Sequence, residues 1–348
     1  LIAHRDLAAR VVDATVDASG RTAVVARSQE TYGLLDLGLG FGLKFGGGAA
    51  VSVIRAESDV AAYAQGARID AHAVAFHADL TREVSVTTVQ AGAAKIASVA
   101  GALGVISAQD KVFAGTKDGT ANDRTHLDVS AGVDVDARSD QTVTVMPSAG
   151  NGALVGVGGT VGVVQLDTSV RARLGDRTRV GRAVERTGAV SLSAVRAERV
   201  DVEVGSLQLG WTAAGASVMA LSTTGLTEAS VGARAAVHSR DAITLDARNE
   251  RTLDATINSR SGGAGAANLS VGDIAFGTRS DSAGYGRVLL GTPERIGLYD
   301  AIAADPTENA DGQTLIGRST VASRAATADV VAGRGAANPR ALFDRTRT

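Results

Sequence analysis

Residues Gly46 to Asp79 read GGGAAVSVIRAESDVAAYAQGARIDAHAVAFHAD, and degraded copies of this stretch return along the chain as far as Tyr285. The stretch opens on an almost uncharged Gly/Ala/Val run, passes through a more charged segment, and closes on a clipped apolar–polar pattern at an alanine. A fixed period of this kind decides the architecture before any single residue is read.

Two anchors measure the period. The closing alanine recurs as Ala26, Ala78, Ala137, Ala194 and Ala247, at spacings of 52, 59, 57 and 53 residues. The small residue before the mid-repeat turn recurs as Ala62, Ala114, Ala172, Ala229 and Gly284, at 52, 58, 57 and 55. Arg279–Gly286, RSDSAGYG, also echoes Glu57–Ala64, ESDVAAYA, four periods upstream. The repeat length is therefore near 55 residues.

Around the anchors the residue pattern is that of strands. VDVDAR (133–138), VSLSAV (190–195), VDVEV (200–204) and ITLDAR (243–248) alternate apolar and polar side chains, which places Val133, Val135, Val200 and Val202 on one face. Val11–Ala26 reads as two short strands with a turn at Ser19-Gly20. Quiet segments recur at 35–54, 97–108, 148–166 and 205–222. Glycine disfavours a membrane helix there, and valine and threonine favour strands. Without charge or alternation, they read as strands buried on both faces.

Composition limits the function classes. With 35 basic and 37 acidic residues, the net charge of -2 provides no bulk field for nucleic acid. The absence of cysteine excludes disulfides and thiolate metal sites. Aromatic residues make up 3%, so the core must be Val, Ala, Leu and Ile in narrow layers. Leu1–Asp13 carries charges where the apolar part of a signal peptide would lie. With the first anchor already at Ala26, the chain reads as a fragment of a longer array. Its N-terminal coil is then expected to be a bare, self-associating strand edge.

These features predict an all-β protein, a parallel β-helix (β-solenoid) of about five repeats. Coils of roughly 20–28 residues would make each repeat two turns, and one wide turn per repeat is the alternative. A propeller is disfavoured by the single tryptophan, Trp211. The repeats span 1–286. A loop-rich insertion follows at 287–314, and a last strand pair with a loosely ordered tail occupies 315–348.

The unit G-A-x-V-x-V … A-Y … A-x-I-x-A … V-x-x-x-A in Gly47–Asp79 resembles the β-strand repeats of very large bacterial surface exoproteins, the leukotoxin-type and haemagglutinin-like filamentous adhesins. The A-Y-I-G turn of that motif is AYAQG here and becomes RARLGD at Arg171 and EASVG at Glu228. The resemblance implies a secreted, cell-surface stalk or adhesive filament. Its partners would be a receptor or glycan on a host or neighbouring cell, and further repeats of the same parent chain. It carries over no catalytic residue. The charge balance, the strand-like composition and the residue spacings lead to the expectation of no cofactor, no metal, no nucleic-acid partner and no membrane span in this segment.

Several constellations offer other chemistry. The pairs Asp134/Asp136 and Asp201/Glu203 share a strand face and could serve a polysaccharide-degrading lyase or glycoside hydrolase on a β-helix, yet a solvated outer face explains them. His72 and His77, five apart, fall on opposite faces of a regular strand and cannot share a metal without a bulge. Lys117, Asp118, Asn122 and Asp123 lack the spaced ligands of a calcium loop and read as a turn. GLGFG (38–42) and GVGGTVG (156–162) lack G-K-[ST] and read as structural. The enzyme alternative would have to build its groove from Arg287–Thr314.

Overall fold

The computed structural model describes residues 1–119, 124–232 and 234–276, together with the backbone of short strands between 286 and 346. The chain is all-β, with parallel strands in two stacked sheets, an arrangement consistent with a β-solenoid. One sheet holds β1 (Ile2–Val12), β3 (Phe45–Gln65), β5 (Ala97–Thr116), β7 (Val155–Leu174), β10 (Thr212–Val231) and β13 (Gly265–Phe276). The other holds β2 (Thr15–Gly42), β4 (Arg68–Ala94), β6 (His126–Gly152), β9 (Ala189–Leu209) and β12 (Ile243–Gly262), with the short β8 (Arg179–Val180) and β11 (Ala236–Ser239) at its margin. Backbone continues to alternate between the sheets, so each circuit is two long strands and two reversals.

The closing alanines stack as register partners, Ala26 on Ala78 on Ala137 on Ala194 on Ala247. The second anchor does the same, Ala62 on Ala114 on Ala172 on Ala229; Gly284 lies outside the described residues. One repeat is thus one wide circuit, and the reading of two 20–28-residue turns is corrected. Alternation maintained over 20 or more residues keeps each strand running straight on across the section.

The two edges differ. At one, β2–β3, β4–β5, β6–β7, β9–β10 and β12–β13 are each joined by only two residues, as at Leu43-Lys44 and Gly210-Trp211. At the other edge the connections grow from Asp13-Ala14 to 117–125 and 175–188. The variation in repeat length therefore resides at that second edge. Ser19-Gly20 is not a turn: β2 runs through it, and the register slips between Ala18 and Arg21 as a bulge.

Across the section, among the described residues, lie a small alanine cluster of Ala100, Ala102 and Ala149 and two main apolar cores. The larger, at the wide edge, contains Ile69, Phe76, Leu80, Leu127, Leu174 and Leu192. The smaller lies toward the tips, with Ile54, Val84, Ile106, Val143, Leu166 and Leu221. Val133, Val135, Val200 and Val202 face inward, as the alternation requires. The quiet segments are not buried on both faces. They fold back at the tips, where inward positions are mostly glycine, alanine or serine, with Thr160, Asn151 and Gln208 also buried in later circuits, and the outward Leu37, Leu39, Phe41 and Phe45 are exposed. The inward glycines permit this, since a Cβ on Gly40 would overlap the Gly47 carbonyl of the opposite sheet.

Beyond residue 276, Gly286–Leu290 pairs in parallel with β10, and Gly312–Ser323 lies antiparallel to β12. Most of the insertion assigned to Arg287–Thr314 and of the tail from 332 lies outside the described residues.

Candidate functional site

Three polar arrangements stand out, one inside the section and two on its outer surface. The inner one separates the two cores. Glu30, Arg82, Gln141 and Glu198 are register partners on one sheet, and Ser58, Asp110 and Thr168 on the other. Each of these sits on the inward parity of its strand, so the fold buries it.

Arg82 donates from Nε to Glu30 Oε2 at 3.0 Å and from Nη1 to Asp110 Oδ2 at 2.7 Å. Ser28 and Ser58 donate to Glu30 Oε1, and Gln141 Nε2 donates to Asp110 Oδ2 and to Thr168 Oγ1. In the next circuit but one, Arg196 Nε donates to Glu198 Oε1 at 2.6 Å. One guanidinium thus faces two buried carboxylates. Burial raises the Asp110 carboxyl to about 6, against the opposing pull of Arg82 and with help from the Glu30 charge. Burial also raises Glu30, but hydrogen bonds from Ser58 and Arg82 outweigh it and leave that carboxyl below its usual value. The belt is buried and links side chains of successive circuits.

The second arrangement is a groove of about 540 Å³ on the outer face of the β2–β4–β6 sheet. Asp17, Asp70 and Asp128 stack there in register, immediately before the bulges at Ser19-Gly20, His72 and Ser130-Ala131. The segment after β8 closes one side: Arg182 donates to both Asp128 oxygens, at 3.2 and 2.8 Å. Arg68 and Arg179 add ion pairs to the same carboxylate at 3.0 and 3.5 Å. Burial raises Asp128, but Arg182, Arg179 and Arg68 overcome it and hold the group below the ordinary range. A general acid needs the opposite shift.

The third arrangement is the pair Asp134 and Asp136. Both lie on the outer face, and His77 Nε2 approaches Asp134 Oδ2 at 3.8 Å. Asp136 is register partner of His77 and Ser193. Burial raises its carboxyl, opposed by a hydrogen bond from Ser193 and the His77 charge. Asp201 is register partner of Thr144, ten residues along β6 from Asp134, so the two acidic pairs are not brought together.

The bulge at His72 changes the parity on which the histidines were placed. His72 and His77 both face outward, which corrects the opposite-face reading. Their rings have separate partners, Ser130 Oγ at 3.0 Å for His72 and Arg21 at 3.4 Å for His77. Among the described residues no group of three or more His, Asp or Glu side chains is placed to hold a metal ion. Lys117 lies 3.8 Å over the Tyr63 ring, and Asp118 pairs with Arg173 at 2.8 Å. Asn122 and Asp123 lie outside the described residues. The glycines of 38–42 and 156–162 lie within strands near the tips. Among the described residues no helix is long and apolar enough to cross a membrane.

Sequence reasoning missed the belt and the tips. Arg82 on the parity of Leu80 and Val84 was the available signal for the first. For the second it was Leu-Gly-Leu-Gly-Phe-Gly at 37–42, large and small in strict alternation.

No family model, curated protein or solved structure matches the chain.

Proposed function

We propose that the chain is a parallel β-helix of about five repeats, with a period near 55 residues. In this reading it serves as a structural and adhesive segment of a large secreted bacterial surface protein, a stalk that presents its outer faces to a receptor or glycan. The observation that carries the reading is the register ladder of the closing alanines, Ala26 to Ala247. Identical positions stacked at about 4.8 Å per circuit make length the quantity that added repeats increase. Neither a cofactor nor a catalytic residue enters this role. The test is retention of beads coated with the chain on bacterial and epithelial cells and on a glycan array. Saturable retention, unchanged by Asp136→Asn, is expected; failure to bind any of these surfaces would remove the adhesive part of the reading.

A second reading, a polysaccharide-degrading enzyme, is favoured by one observation: Asp136 is raised while Asp134 lies beside it on the same face. Release of oligosaccharides from a polysaccharide panel, lost in Asp136→Asn, would establish that reading in place of the first.

A further inference from the structure

The outer face of the β3–β5–β7–β10 sheet near the tips has a relief that repeats from circuit to circuit. Val51, Leu103, Val161, Val218 and Val271 are successive register partners and form an aliphatic ridge facing outward. Two residues nearer the tip, Ala49, Gly101, Gly159 and Ala216 form a trough beside it. Flanking columns are also apolar, with Val99 and Val157 on the tip side and Val53, Val105 and Val163 on the other. Across the first four circuits the five outward columns from Phe45 to Val53 carry no charged residue.

We propose that this face docks a second copy of the same chain, ridge into trough, with the two rods parallel. The relief is self-complementary for a simple reason. A two-fold axis along the stacking direction, passing between the columns of Ala49 and Val51, lays each chain's ridge over the other's trough. It also lays the column of Val53 over that of Gly47. Such an interface is isologous and closes at two copies, and sheets packed face to face in this way sit about 10 Å apart.

Size agrees with the geometry. The four strands that carry the fit, at about 4.8 Å each, and eight residue steps at about 3.3 Å give roughly 500 Å² in projection before the relief is counted. Stable interfaces bury about 800 Å² per partner, and patches beyond a few hundred Å² on a monomer mark contact sites.

The opposite face argues against a bilayer as the occupant. A bilayer would surround the thin edge and need both faces apolar, but there the columns decline to Ser148, Glu203, Asn258 and Arg260 in later circuits. A partner on one side only is what the asymmetry fits. In the fifth circuit Leu269 fills the trough position, and the fit ends there.

Sedimentation velocity of the chain across a hundredfold concentration range tests the proposal. A species at twice the 35.1 kDa of one chain is expected. Leu103→Glu should weaken association at least tenfold. Gly101→Leu should weaken it as well, although it adds apolar surface; the nearest atom to a Cβ there is 3.9 Å away, so the fold accepts it. Leu37→Glu, on the opposite face, should leave the dimer intact. A chain carrying both Ala216→Cys and Val218→Cys should be joined into a covalent dimer by a short bifunctional thiol crosslinker that spans the gap between the facing sheets, which is too wide for a direct disulfide; an antiparallel pair of rods would not be joined there. A chain monomeric at every concentration would overturn the proposal. So would tighter association of Gly101→Leu, which would mean generic stickiness, or flotation with phosphatidylcholine vesicles abolished by Leu103→Glu.

Discussion

At the wide edge of the section Phe76, Ile69 and Leu127 point inward with no exposure, and polar side chains point out. At the tips the same two-residue alternation carries the opposite assignment: Gly38, Gly40 and Gly42 point inward, and Leu37, Leu39 and Phe41 point out, Phe41 at 74% exposure. Period alone therefore does not say which face is the core. The size of the inward residue sets the distance between the sheets, and the tips are thin because glycine lets the backbones approach. Large side chains that no longer fit between them are left outside. Between the two regions runs the Glu30–Arg82–Asp110 belt.

The largest effects should come from the wide half and the belt. Arg82→Ala leaves two carboxylates buried without their cation and should cost about 3–5 kcal/mol in urea unfolding. Adding Glu30→Gln and Asp110→Asn should restore most of that, which a purely steric role for Arg82 would not allow. Phe76→Ala opens a cavity in the main core and should also cost about 3–5 kcal/mol; a loss below 1 kcal/mol would mean the wide edge is loosely packed.

The pH response comes next. Asp110, raised to about 6, holds a proton in the folded state that the unfolded chain releases from its ordinary value of 3.8 upward. Its contribution to stability is therefore present below about pH 4 and is lost as pH rises toward 6, by an amount on the order of 2–3 kcal/mol. Glu30, lowered, acts in the other direction: its contribution is present above its ordinary 4.5 and fades on acidification. Asp110→Asn should flatten the slope between about pH 4 and 6 and keep the acid loss due to Glu30. An unchanged slope in denaturation midpoints would show that Asp110 is not its source.

Smaller effects belong to the tips. Gly40→Val forces the sheets apart against the Gly47 carbonyl and should cost about 1–3 kcal/mol. Phe41→Ser, by contrast, should stay within about 0.5 kcal/mol, because its ring already faces solvent. If thermal unfolding ranked these two the other way, the inversion between the regions would be wrong.

How much of this was legible in the sequence follows from the same contrast. The period could be read because the same small residue returns at one register position in every circuit and stacks on its copy. The facing of Val133 and Val200 could be read because Asp134 and Asp201 alternate with them. The tips were misread because an uncharged Leu/Gly/Val run has the composition of a fully buried strand, and only the alternation of size within it reveals the exposed side. Ser19-Gly20 has the composition of a turn, yet the long parallel pairing on both sides absorbs it as a bulge. The belt is hidden in the sequence because charge ordinarily marks the outer face, whereas Glu30 and Asp110 are held inside by a partner more than twenty residues away. Of the candidate groups, Asp134 and Asp136 were visible as a pair, but the Asp17–Asp70–Asp128 column exists only once circuits stack.

The stacking also determines how such a rod would meet a pull. Successive circuits are joined by backbone hydrogen bonds that run along the rod, so tension between its ends loads them head-on. Peeling one circuit shortens the rod by a single strand spacing, about 4.8 Å. The register offsets of 52–59 residues then become slack, worth roughly 190 Å at about 3.4 Å per residue. Each lost layer thus returns some forty times its own thickness as tether, and a rod of this design gives way by lengthening long before it lets go.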